Sequence, residues 1–180
     1  MAILAVTVIG QDRPGIVAAV SRVLVDQGCN LEDTEMAILR GQFAMMLIVA
    51  APDPVTSASL EEAVMEGTAG FDLQVVVRAV PARAMPPGAQ DAPQWSVSMH
   101  GADKPGIVAA VTEVLAEAGV NITGMETRLI GDPTEPVYAM SLDVELGDDG
   151  AGAELATRLG AVADRLGVSC ALRRHEPDIL

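Results

Sequence analysis

Apolar positions along the chain fall into two rhythms. Ile3 to Ile9 is a short apolar run closed by Gly10, the pattern of a strand at a central position in a sheet. After Pro14 the spacing changes, and Ile16, Val17, Val20, Val23 and Leu24 recur at helical intervals, with Arg22 and Asp26 on the other side. Gly28 stands where a helix C-cap belongs. Leu31 to Leu39 and Gln42 to Ala50 read as two strands joined by a hairpin at Arg40-Gly41. Pro52 and Pro54 stop the second of these, Ser57 to Glu66 has helical composition, and Phe71 to Val80 is a last strand rich in valine. The predicted order is β-α-β-β-α-β, the split βαβ arrangement of ferredoxin-like α+β domains.

The same order then returns. Gly10-Gln-Asp-Arg-Pro-Gly-Ile-Val-Ala-Ala-Val20 recurs 91 residues later as Gly101-Ala-Asp-Lys-Pro-Gly-Ile-Val-Ala-Ala-Val111, which marks an internal duplication. Around the second copy, Trp95 to His100 reads as a strand, Gly106 to Ala118 as a helix stopped by Gly119, and Ile122 to Ile130 and Val137 to Leu146 as strands. Their connection, Gly131 to Pro136, is longer than its counterpart and reads as a feature particular to this half. The polar turn Gly147 to Gly150, a helix from about Ala153 to Leu166 and a strand from Val168 to Arg173 complete the unit. The expected domains are therefore residues 1–80 and 94–175, joined by a proline-rich linker at 81–93 and followed by a tail at 176–180.

The turn that opens each helix carries the candidate chemistry. Pro14 and Pro105 fix φ and lack an N–H, which suits the first helical position. Gly15 and Gly106 have no Cβ, so another group can approach the free N–H groups of the first turn, which carry the positive end of the helix dipole. Asp12 and Asp103 stand just before, placed either to cap the helix or to meet an ammonium group. N–H donors beside a carboxylate suit a zwitterion better than a bare anion. The same tetrapeptide is also simply a well-made helix start, and the pattern alone leaves both readings open.

Charge narrows the partners. The chain of 180 residues has a net charge of −14, and acidic residues outnumber basic ones in both halves, so the phosphate contacts of direct nucleic-acid binding have no basis. The N-terminal run has no basic flank and reads as a strand rather than a signal peptide. The longest apolar run, Phe43 to Ala51, is far short of a bilayer span. Cys29 and Cys170 have neither metal nor redox spacing and are expected to be free, buried thiols in a reducing cytoplasm. Half of the residues are apolar but aromatics are scarce, so each core must be built from many small side chains.

With strand, Asp-x-Pro-Gly turn, amphipathic helix and Gly-x-Asn ending all present twice, the chain resembles the ACT domain family over nearly everything outside linker and tail. Two such domains with nothing further attached are similar to the family of the glycine cleavage system transcriptional repressor. The resemblance implies domains paired edge to edge or face to face, with free amino acids bound at the seams. It places ligand contacts at Asp12, Pro14, Gly15, Ile16, Asn30 and Leu31, and at Asp103, Pro105, Gly106, Ile107, Asn121 and Ile122. In that reading the N–H groups of Gly15 and Ile16 hold a carboxylate, while Asp12 and the Asn30 of a neighbouring domain take the ammonium. Each Asn is equally suited to satisfying backbone at a helix end. Serine-sensing relatives often carry a histidine near this turn; His100 lies one residue too early, and its counterpart is Ile9. Arg13 and Lys104 suit either solvated surface or anion steering.

The expected function is a regulatory protein that senses an amino acid and signals through a partner protein, as a homodimer, with no cofactor, metal, membrane or direct nucleic-acid contact. The alternative is an interaction adaptor with empty turns. An enzyme is not expected: His100 and His175 sit in unlike contexts, no nucleotide-binding glycine fingerprint is present, and Asp148-Asp149 and Glu61-Glu62 read as solvated carboxylates.

Overall fold

In the computed structural model the structure describes residues 1–81, 94–132, 134–146 and 151–174. They divide into two compact units, Met1–Ala84 and Met85–Leu180. The first unit runs β1 (Ala2–Gln11), α1 (Ile16–Asp26), β2 (Asn30–Leu39), β3 (Gln42–Ala51), α2 (Ser57–Gly67), a single 3₁₀ turn at Ala69–Phe71, and β4 (Gln74–Ala79). The second repeats it as β5 (Gln94–Ala102), α3 (Ile107–Glu117), β6 (Asn121–Asp132), β7 (Glu135–Glu145), α4 (Ala151–Leu166) and β8 (Val168–Arg174). Both sheets are antiparallel, in the orders β2-β3-β1-β4 and β6-β7-β5-β8. The ferredoxin-like reading of the sequence holds in both units.

Alternation dictates which face is dry. Leu4, Val6 and Val8 of β1 and Phe43, Met45, Leu47 and Val49 of β3 point the same way and are buried, because paired positions share a face. Ile16, Val20 and Leu24 of α1 and Leu60 and Val64 of α2 close over them. The second core repeats the design with Val97, Met99, Ile107, Val111, Leu115, Met140, Leu142 and Val144. Each such side chain contributes roughly 1.5–3 kcal/mol on burial. Leu, Val and Met predominate, with Phe43 as the one large aromatic among the fully buried residues.

Two boundaries and one side chain differ from the sequence reading. The last strand of the first unit starts at Gln74 rather than Phe71, because the 3₁₀ turn and Asp72, at φ 53°, redirect the chain. The connection expected over Gly131–Pro136 is largely strand: Gly131 pairs with Pro136 and Asp132 with Glu135. Pro136 is tolerated because β5 ends its pairing at Val137, so the missing N–H interrupts no central ladder. The Asp132 carboxylate accepts from the Thr134 N–H at 2.8 Å and from its hydroxyl at 2.6 Å, which holds its carboxyl below the usual range. Glu61, expected to be solvated, accepts the Val77 N–H at 2.7 Å. The predicted linker beyond Pro81, the Gly147–Gly150 turn, His175 and the tail lie outside the described residues.

Gly10 and Gly101 open the repeated motif for a packing reason. A Cβ on Gly10 would stand 2.5 Å from Leu73 Cδ2, and one on Gly101 would stand 2.7 Å from Val168 Cγ1 and 3.1 Å from Val168 Cα. The chain entering the last strand crosses over each glycine. Gly101→Ala is therefore expected to destabilise the protein by about 1–3 kcal/mol, the usual cost of overpacking against backbone, as read by chemical denaturation.

Candidate ligand-binding turns

Each motif leaves the central strand, reverses at Pro-Gly and enters a helix. Gly15 has φ 98° and ψ −9°, and Gly106 has φ 94° and ψ −4°. These are the values of the third residue of a type II turn, with Pro14 or Pro105 in the second place where its fixed φ fits. The prolines therefore do not occupy the first helical position expected of them. The glycine is the N-cap, the helix begins at Ile16 or Ile107, and a left-handed cap excludes any residue that needs a Cβ.

No side chain caps either helix. Asp12 instead donates its own N–H to the Gly41 carbonyl at 2.9 Å, which ties the motif to the β2–β3 hairpin and leaves its carboxylate exposed. The first helical bonds are Ala19 N–H to Gly15 O at 2.9 Å and Ala110 N–H to Gly106 O at 3.0 Å. Among the described residues no side chain accepts from the N–H groups of Ile16, Val17 and Ala18, or of Ile107, Val108 and Ala109. Those groups, beside a carboxylate, keep the donor and acceptor pair that a zwitterion needs.

The two turns share a backbone but not their surroundings. A Cβ on Gly15 would lie 3.4 Å from the Phe71 ring, whereas nothing stands within 4 Å of the corresponding point on Gly106. Over the second turn lies an open depression of about 490 Å³ lined by Asp103, Lys104, Gly106, Ile107, Val108, Ala109 and Tyr138. Tyr138 is the residue that sequence reasoning missed. It pairs with Gly101 as Phe43 pairs with Gly10, so aligning the two copies through the third strand reveals a phenol where the first copy buries a phenyl ring. Lys104 donates to the Leu166 carbonyl at 2.8 Å and so supplies charge to the C-terminal end of α4 rather than standing free to steer an anion.

The second half of each expected site is elsewhere. Asn30 and Leu31 open β2, at the far end of α1 from the turn, and an 11-residue helix separates its ends by about 16 Å. The register agrees, since Asn30 pairs with Ala50 while Gln11 pairs with Gln42 at the opposite end of the sheet. Asn121 and Ile122 occupy the same place in β6, and the Asn121 amide donates to Glu145 at 3.2 Å. Asn30 faces Ala50 and has no such acid. A β-bulge follows in both copies, between Leu31 and Asp33 and between Ile122 and Gly124. Within a unit the structure brings Asp12, Pro14, Gly15 and Ile16 together, and likewise Asp103, Pro105, Gly106 and Ile107, but joins neither set to its Asn.

His100 is apart from the turn as well. Its neighbours Val97 and Met99 alternate into the core, so His100 points to the helix-free face, where it lines a separate depression with Ser98, Glu126, Arg128 and Ser141. Arg128 is ion-paired with Glu126. Cys29 and Cys170 are free and partly buried against the first and second cores, and burial raises both thiol pKa values. Among the described residues no helix is long and apolar enough to cross a membrane.

Comparison with known proteins agrees with the fold. Residues 2–78 match the ACT domain family, and residues 95–164 match it again. The chain belongs to the ACT domain family. It is similar to the glycine cleavage system transcriptional repressor of Escherichia coli (strain K12), 29% identical over 143 residues that cover 79% of this chain and 72% of that one. A UPF0237 protein of Methanopyrus kandleri is 39% identical over 74 residues, 41% of this chain and 82% of its own. Among solved structures, an unknown protein from Galdieria sulphuraria superposes with a TM-score of 0.82 at 29% identity, covering 97% of this chain and 99% of that one.

The tandem ACT architecture makes each cap glycine testable. Gly106→Ala is expected to lose about 1–2 kcal/mol, the cost of a left-handed residue, because no neighbouring atom adds to it. Gly15→Ala should lose more, since the new methyl also meets Phe71. Denaturation of the two variants side by side measures the difference.

Proposed function

We propose that this tandem ACT protein is a regulatory protein that binds a free amino acid at its Pro-Gly turns and signals through a partner protein. The observation that carries the reading is the second turn, where N–H groups that no side chain caps open onto a depression beside the Asp103 carboxylate. The ligand carboxylate sits on the N–H groups of Gly106 and Ile107, and its ammonium faces Asp103. An Asn from a neighbouring domain, Asn30 or Asn121, completes the site, since neither can reach the turn of its own unit. The resemblance to a transcriptional repressor supports a role in control of amino-acid metabolism. With a net charge of −14 that control runs through a protein rather than through direct DNA contact.

The remaining parts of the reading are domains at 1–80 and 94–175 with a linker at 81–93, a homodimer, a cytoplasmic location, and no catalysis or cofactor. A ligand that binds one arrangement of domains more tightly shifts the population toward it, and the partner reads the shift. A ligand-free adaptor is the second reading, favoured by β2, an edge strand exposed along its whole length.

Calorimetry with each of the twenty amino acids separates the two. A cognate ligand at a hundredfold excess over its Kd adds about 2.7 kcal/mol of stability, and a thermal scan should show the matching rise in Tm. Asp103→Asn should weaken that ligand at least about tenfold while leaving the unliganded Tm unchanged, since Asp103 is exposed and removing one charge-assisted contact is worth about 1.5–3 kcal/mol. Absence of heat with every amino acid leaves the adaptor.

A further inference from the structure

The two units carry the same backbone but unlike surfaces on the side of the sheet away from the helices. In the first unit the outward positions of β1, β3 and β4 include Ile9, Ala44, Met46, Ile48 and Val76. Ile9, Met46 and Val76 are 45%, 52% and 46% exposed. At the corresponding register positions of the second unit stand His100 for Ile9, Ser141 for Met46 and Asp143 for Ile48. At these three positions one copy of the duplicated sheet is apolar and the other polar, although Ile130 and Val137 remain exposed at the hairpin end of the second unit's face. A contiguous exposed apolar patch of this kind marks an interaction surface.

Charges at its rim identify what covers it. Asp33, Ile48, Ala5 and Arg78 form one row across the sheet, and Glu35, Met46, Thr7 and Val76 form the next. The order β2-β3-β1-β4 puts the acids on one edge and Arg78 on the other. A two-fold axis running along the strands between two such faces exchanges the edges. Arg78 of each copy then lies over the Asp33 and Glu35 rim of the other, with apolar centre on apolar centre. The second unit's face has His100, Ser98 and Ser141 at its centre and its exposed apolar residues, Ile130 and Val137, only at the β6–β7 hairpin end, so apolar centre does not meet apolar centre there.

The area is sufficient. Four strands at about 4.8 Å spacing and about 25 Å of paired length give about 500 Å² per copy and about 1,000 Å² for the pair, the lower bound of a specific interface. We propose that the helix-free face of the first unit is a homodimer interface, packed sheet on sheet against the same face of a second copy of this chain. This rests on the dimer of the preceding section and names the surface that forms it.

Sedimentation equilibrium on the full chain tests it. The wild-type chain should dimerise in the micromolar range. Met46→Glu, at a solvent-facing position, should raise the dissociation constant at least about tenfold, or about 1.4 kcal/mol, with an unchanged circular dichroism spectrum. Arg78→Glu, and separately Asp33→Lys with Glu35→Lys, should each yield monomers, because like charges then meet at both rims. Mixing these two variants should restore a heterodimer, since both rims of the mixed pair are again complementary. A wild-type monomer, a dimer indifferent to Met46→Glu, or a mixture that stays monomeric overturns the proposal; the last result stands even if Met46→Glu fails to fold. Calorimetry with the cognate amino acid on the same variants separates this interface from the ligand reading: heat retained in a wild-type chain that is monomeric throughout sinks the interface alone.

Discussion

One backbone constraint organises each unit. The chain must leave a central strand, reverse and start a helix whose apolar stripe lies back on the same sheet. A left-handed glycine after proline achieves this in a single residue, at φ 98° in one copy and 94° in the other. Because the glycine itself is the cap, no side chain is drawn in to satisfy the first helical N–H groups. They remain directed outward. The geometry that positions Ile16, Val20 and Leu24 over the core is thus the same geometry that leaves donors for a guest.

Much of the fold was legible because its signals are local. Alternation in β1, the 3–4 spacing in α1 and the glycine stops are all properties of neighbouring residues, and duplication stated each of them twice. What escaped was set by tertiary register. Nothing local indicated that Asp72 would adopt φ 53° and delay β4, or that β6 and β7 would pair through Gly131–Pro136. The turn was found but its proline was placed two residues too late, because Asp-x-Pro-Gly fits both a helix start and a type II turn. Only the sign of φ at glycine decides between them.

The candidate site was half legible in the same sense. Its turn residues are contiguous and announce themselves, whereas Tyr138 enters from a strand 32 residues beyond Gly106 and depends on the pairing of β5 with β7. The two turns, nearly identical in sequence, have diverged through residues outside the motif. The Phe71 ring stands beside one, and an open depression with a phenol at its wall fronts the other. Duplication preserved the donor groups while the surroundings changed, which is how one fold comes to hold two inequivalent turns.

The Glu61 carboxylate on the Val77 N–H has an effect larger than one hydrogen bond. It occupies a donor that would otherwise point off the outer side of β4, while β2 at the opposite border stays bare. Strand-by-strand extension needs a vacant border on each side of every sheet. With an outward donor of β4 already taken, strand addition is disfavoured at that border relative to β2.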